Sequence, residues 1–359
     1  MKNQINQKLW ALLGSVVLAS LAACGVGGGG GTTAVTSSYS ANCSNGTIQT
    51  STVSQSAAQA ACPASTTVPA GTTVATSQYT STSVQSAMFA QINSLRATCG
   101  FPAVQENTLL DQAAQNHAQY MIANGGLITD TETQGNPGFT GVTGQDRADA
   151  LGWPSSVYAG AGDVGYYTNA TLSNTQYGQN LVAAWATGVY HQTMIAFPGK
   201  LFGLGVAQTT YAGFPQLAAG GMIGQLNTTP GTLHTFPCAG VTGLPYAMLG
   251  EVPQPPNVVG TMFGSPAWGT AQSVWSDNAN DVVLITSASM IPAGGSTSVA
   301  LNILTSLNDS NHLVWQSYST AYPTSPLTPN TTYNVTLTGT LNGAPFNLNY
   351  SWTSGSTVG

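Results

Sequence analysis

The chain reads as an α+β layered domain followed by an all-β sandwich, and three stretches carry that reading. The first, NTLLDQAAQNHAQYMIAN at 107–124, places Leu110, Ala113, Ala114, His117, Ala118 and Met121 on one helical face and Asp111, Gln112, Gln115 and Gln119 opposite. The second is a pair of Gly-rich apolar runs, 201–209 and 218–226, separated by YAGFP, which predicts a hairpin whose small residues let a helix sit close on the sheet. The third lies near the end. Tyr333, Val335 and Leu337 alternate with polar residues, Asn342-Gly343 marks a tight turn, and Phe346, Leu348, Tyr350 and Trp352 resume the alternation.

Taken in order, residues 1–23 read as an export signal. Lys2 and Lys8 form a basic start, 9–21 is an apolar run short of a typical spanning helix, and Leu21-Ala22-Ala23-Cys24 closes it. That ending resembles a lipobox, which implies a lipid on Cys24 and stable membrane anchoring. Gly25 in place of aspartate directs the expectation to an outer membrane or cell surface. Residues 24–84, opening GVGGGGG and continuing in Ser, Thr and Ala, read as a flexible tether. The folded domain is expected at 85–226. Its opening AQINSLRATCGFPAVQENTLL reads as helix, Gly/Pro turn, helix; 146–152 reads as a short helix ended by Gly152; and Ser173 with Gln176 forms a capping box opening a helix that reaches about Ile195. On that last helix Leu181, Ala184, Trp185, Gly188, Gln192 and Ile195 define the packing face, with His191 at its edge. A connector at 227–250 and a β-sandwich at 251–353 complete the chain, with further strands at 282–285 and 299–303.

Only 4% of the residues are charged, against about a quarter in an average soluble protein, so neutral polar groups must cover the surface. Acids outnumber bases by eleven to five, and nothing resembles a basic stripe, which excludes an electrostatic nucleic-acid partner. Apart from Cys24, four cysteines remain, an even number suited to an oxidising compartment. Spacing does not fix their pairing; the preferred arrangement is Cys43 with Cys62 and Cys99 with Cys238. No CxxC, G-x-S-x-G or HExxH motif is present.

An ordered set of residues then points to a family. Asn93 and Arg96 lie in the first helix, Gly100, Pro102 and Asn107 in the turn, and Ala114, His117, Ala118 and Met121 in the second helix. DRADALG at 146–152, Trp185 and His191 in WATGVYH, and Gly203, Gly205 and Val206 in GLGV follow. The block 92–206 resembles bacterial members of the CAP superfamily, the cysteine-rich secretory, antigen 5 and pathogenesis-related class 1 proteins. PNTTYNVTLTGTLNG further on resembles segments of bacterial Ig-like modules. The first resemblance implies an α-β-α sandwich and a cleft where two histidines and two acids can bind a divalent metal. Carried over by position, Asp130 stands where one histidine would be, Asp163 replaces a glutamate and His191 is retained, with Glu132 near enough to contribute.

One imidazole among several carboxylates suits a hard or weakly held ion, a His191–Asp163 pair ready for proton transfer, or a polar brace for the cleft. His117, on the apolar face, reads as a core histidine with a satisfied hydrogen bond, Arg96 and Arg147 read as structural anchors, and nothing marks His234 or His312. Two functions follow as expectations. One is a lipid-anchored extracytoplasmic module binding a peptide, lipid or glycan. The other is a metal-assisted hydrolase centred on His191, Asp163 and Asp130, and the departure from two histidines favours the binding module.

Overall fold

In the computed structural model the described residues are 39–42, 48–51, 67–258 and 266–359. The expected export signal at 1–23, together with Cys24, Cys43 and Cys62, lies outside them. Tyr39–Asn42 (β1) and Ile48–Ser51 (β2) pair antiparallel. The stretch 67–83, expected to belong to the tether, is instead laid on the domain. Thr73 bridges Asn107, Val68 packs on the core, and Tyr79 shares a hydrogen bond with Asp111 on the next helix but one.

Helix α1 (Val84–Thr98) opens at Ser83, whose hydroxyl accepts the Ser86 N–H, and α2 (Thr108–Ala123) opens at Asn107, whose side chain accepts from Leu109 and Leu110. Between them lie Gly100, whose φ of 81° makes the turn, and the two-residue strand β3 (Gln105–Glu106). The short helix α3 runs Gly144–Asp149, two residues earlier than the sequence suggests, because Thr143 and Asp146 close a capping box. A strand that the sequence reading does not assign, β4 (Ala159–Tyr167), follows. Helix α4 (Asn174–Thr187) starts with the expected Ser173–Gln176 box but stops eight residues short of Ile195. Gly188 turns extended at ψ 160°, and the chain resumes as a single turn, α5 (Thr193–Ala196). Leu181, Trp185, Gln192 and Ile195 are all fully buried, so the apolar period survives the break.

Strands β5 (Gly199–Tyr211) and β6 (Phe214–Leu226) form the expected hairpin, turning through Ala212 and Gly213, both at positive φ. With β3 and β4 they make a sheet of order β3-β5-β6-β4. The hairpin glycines decide which helix covers which face. A Cβ on Gly203 or Gly205 would strike the α2 backbone at Leu110–Gln115, whereas one on Gly221, the residue after Gly220, would strike Trp185 of α4. Since alternate residues face opposite sides, α2 covers one face and α4 the other, with α1 packed on α4 where Gly178 meets Ala87. These are the three layers of an α-β-α sandwich.

The stretch 227–250 is more than a connector. Leu233–Phe236 (β7) and Thr242–Leu244 (β8) join the C-terminal sheets, and Cys238 is bonded to Cys99 at the end of α1. Strands β9 (Gln272–Ser276), β10 (Val283–Pro292), β11 (Leu301–Leu304), β12 (Tyr318–Pro323), β13 (Thr332–Leu341) and β14 (Ala344–Ser354) complete two four-stranded sheets, β10-β13-β14-β8 and β11-β12-β9-β7. The β13–β14 hairpin turns at Asn342 and Gly343, both at positive φ.

Strands β9 and β12 are buried along their whole length, which requires cover on both faces. Gln272 accepts from Tyr350 of the other sheet. Its neighbour Ser273, facing the opposite way, donates to Gln192 at 2.6 Å. One sheet is therefore a middle layer between its partner and the helical domain, and a single apolar core runs from Met88 through Trp185 to Trp275 and Trp352.

Candidate functional site: a carboxyl and imidazole cluster at the edge of the sheet

With so few charges, where the acids go is informative. Seven of the eleven are buried: Glu106, Glu132, Asp149, Asp163, Glu251, Asp281 and Asp309. Six of them accept ordinary hydrogen bonds. Asp309 takes the N–H groups of Asn311, Leu313 and Val314 and the Tyr190 hydroxyl. Glu132 takes Thr140 and Gly141 N–H, Glu106 takes Gln78 N–H, and Asp149 and Asp281 bind side-chain amides. Burying a carboxylate is costly unless it is paired in this way.

Asp163 is the exception. It sits on β4, the open edge of the sheet, opposite Gly220, and only 3% of it is exposed. Lacking a side chain, Gly220 leaves room for Asp163 Oδ1, which a Cβ there would approach to 2.9 Å. Neither carboxylate oxygen accepts a hydrogen bond of normal geometry. The His117 Nε2 atom is 3.3 Å from Oδ2, but its N–H is aimed at the Thr129 carbonyl at 2.7 Å, so the contact with Asp163 is an ion pair.

That assignment fixes the charge on His117. Nε2 faces a carbonyl, which can only accept. Nδ1 is 2.8 Å from Glu132, a carboxylate already accepting two backbone N–H groups. Both nitrogens must therefore carry protons. Burial alone would lower the imidazole, but Asp163 and Glu132 outweigh it and raise His117 to about 9, while burial acting on Glu132 is overcome by His117 and Thr140, which hold it below its ordinary value. His117 is a buried cation without a lone pair to offer a metal. Its hydrogen bonds are satisfied, as its place on the apolar face suggests, but with partners that the helical pattern does not reveal.

Asp130 is exposed as a residue, while its carboxyl is raised to about 7, first by desolvation and then by the neighbouring Asp163, with His191 and Arg147 pulling it partly back. Arg147 donates to the Asp130 carbonyl at 3.1 Å and is itself buried; its sequence neighbours Asp146 and Asp149 are occupied with Thr143 and Gln145. Arg96 caps carbonyls, those of Pro102, Ile195 and Phe197.

His191 is not on a helix. It lies in the loop between α4 and α5, where Nδ1 is 2.8 Å from Glu251. Glu251 is the residue that sequence reading missed. Only 2% exposed, it also accepts from the N–H groups of Val189, Tyr190 and His191. Burial lowers the His191 imidazole, but Glu251, then Asp130 and Asp163, more than compensate and raise it. A glutamate sixty positions downstream leaves no local signal for the loop it holds.

Of the four residues expected to share a site, Asp130 and Asp163 are together, with His191 inside their field. Glu132 is spent on His117 and the loop at Thr140. A divalent metal does not fit this arrangement: among the described residues no group of three or more His, Cys, Asp or Glu side chains is disposed to hold an ion. A cavity of about 380 Å³ lies elsewhere, lined by Arg96, Phe101, Lys200, Asn227 and Asp277 among others. Its Arg96 and Asp277 are engaged with the protein's own groups, and it touches none of the candidate residues.

Residues 89–209 match the family model described as the cysteine-rich secretory protein family, CAP. The chain carries a CAP domain. No curated protein matches the chain. The CAP match begins within α1 and ends within β5, so β6, the second half of the central hairpin, and Glu251 lie beyond it. Asp130, Asp163 and His191 all lie inside it.

Proposed function

We propose that the chain is an exported binding module whose CAP domain takes a hydrogen-bond-donating group, a hydroxyl or an ammonium, of a peptide, lipid or glycan at Asp130, Asp163 and His191. In this reading a lipid on Cys24 tethers it to the cell envelope, in an outer membrane or at the cell surface, and the C-terminal sheets are an Ig-like module fused to the domain. The observation that carries the proposal is Asp163, a buried carboxylate whose two oxygens lack hydrogen-bond donors while every other buried acid has them. A ligand donor would satisfy it, with Asp130 at the exposed side as the first contact.

The metal-assisted hydrolase is the weaker reading, because Glu132 is spent on His117 and no three of the described His, Cys, Asp and Glu side chains are disposed to hold an ion. The full chain, screened by thermal shift against peptide, lipid and glycan sets, is expected to yield hits that Asp163→Asn and Asp130→Asn abolish without loss of the folded state. Calorimetric titration with Zn²⁺, Ca²⁺ and Mg²⁺ is expected to give no heat. Hits indifferent to both substitutions, or turnover removed by a chelator, would reverse the ranking.

A further inference from the structure

We infer that Glu251, which lies beyond the family match, is the positioning residue of the cluster: it sets the 189–191 backbone and the His191 ring so that Nε2 is the nitrogen left for an incoming group. The inference concerns how the cluster is built and does not depend on what occupies it.

Four donors converge on this one carboxylate, the backbone N–H groups of Val189, Tyr190 and His191 and the ring Nδ1, at 2.7 to 3.2 Å. Gly188 makes the approach possible. A Cβ there would lie 2.6 Å from Glu251 Oε2 and 2.9 Å from His191 Cβ. Gly188 is also where α4 ends, so the N–H groups of Val189, Tyr190 and His191 have no helical acceptor and find one in Glu251, while the Tyr190 and His191 carbonyls accept from Thr193 and Met194. With Nδ1 donating to a carboxylate, Nε2 is the free ring position, the arrangement by which a second group fixes the working face of an imidazole.

Glu251 is held in turn by the C-terminal region. Leu249 donates to the Gly359 carbonyl, and Met248 bridges Trp268. Next to His191, the Tyr190 hydroxyl donates to Asp309 and accepts from Asn311. The all-β region thus supplies the brace for a histidine that belongs to the CAP domain.

The test is the imidazole ¹⁵N–¹H spectrum of the full chain labelled at histidine, compared between the native protein and Glu251→Gln at neutral pH, with amide exchange measured at 189–191. Expected are loss or displacement of the His191 Nδ1–H signal and an increase in exchange of about tenfold to a hundredfold at those amides, the scale of one lost charge-assisted hydrogen bond. The His117 signals, held by Glu132, should not move. A merely structural brace would lower the melting temperature and leave the His191 ring signals as they were, which would overturn the inference, as would equal displacement of both histidines. If Glu251→Gln does not fold, Gly188→Ala presses on the same contact from the other side. It must then displace His191 and spare His117, and an unchanged His191 spectrum in that variant is equally fatal. No ligand enters the experiment, so its outcome is separate from that of the binding proposal.

Discussion

His117 shows how much one side chain can organise in a protein almost without charges. Its imidazolium lies between Glu132 and Asp163 at 2.8 and 3.3 Å, fully buried. Removing one partner of a buried ion pair strands the others, so His117→Ala is expected to cost about 3–5 kcal/mol at neutral pH. The pH dependence has a definite sign. The folded-state value is raised from 6.5 to about 9, so the stabilisation is complete below about pH 6.5 and fades as pH rises through about 9. Asp111 and Asp130, both raised to about 7, act in the same direction at lower pH, their contribution fading as the pH climbs through neutrality. Urea midpoints followed from pH 6 to pH 10 should decline in the native protein and flatten above neutrality in the His117 variant. The sequence makes His117 legible as an interior histidine because its neighbours at helical spacing are Ala113, Ala114 and Met121. Its acidic partners come from a loop and a strand, and no periodicity links them.

At the level of elements, the sheet is built to receive a helix at unusually short range. On Gly205 a Cβ would lie 2.1 Å from the Gln115 nitrogen, a backbone atom that moves only if all of α2 moves. Gly205→Ala is therefore expected to cost at least the 1–3 kcal/mol typical of overpacking. Gly213→Ala, at a turn with open space around it, should cost about 1–2 kcal/mol through its positive φ alone. Chemical denaturation of the two variants separates these cases. The hairpin and the close helix are legible beforehand because Gly-rich apolar runs admit few other uses. Strand β4 is not, since AGAGDVGYY has neither alternation nor a run of branched side chains. The end of α4 is hidden for the opposite reason: Gln192 and Ile195 keep the helical period although the chain has left the helix, because the same core receives them.

For the whole molecule, fold class was easier to read than the way its parts are joined. Tyr333, Val335 and Leu337 announce a β-region, but nothing in β9 or β12, with their Ser and Thr, says that both of their faces are covered. For β9 that cover comes from the CAP domain through Gln192, which meets Ser273, and from the second sheet through Tyr350, which meets Gln272. A chain ending after Leu226 would expose the Trp185 side of the core and lose Glu251, so it is expected to lack a cooperative unfolding transition and to bind a hydrophobic dye. The full chain should do neither. Finally, Cys99 and Cys238 stand 139 positions apart in sequence and enclose the turn-rich 130–141 surface and every candidate ligand contact. A protease nick anywhere in that span leaves two pieces that still migrate as one species until a thiol is added. Shedding of the helical part in an oxidising medium would thus require two separate chemical events.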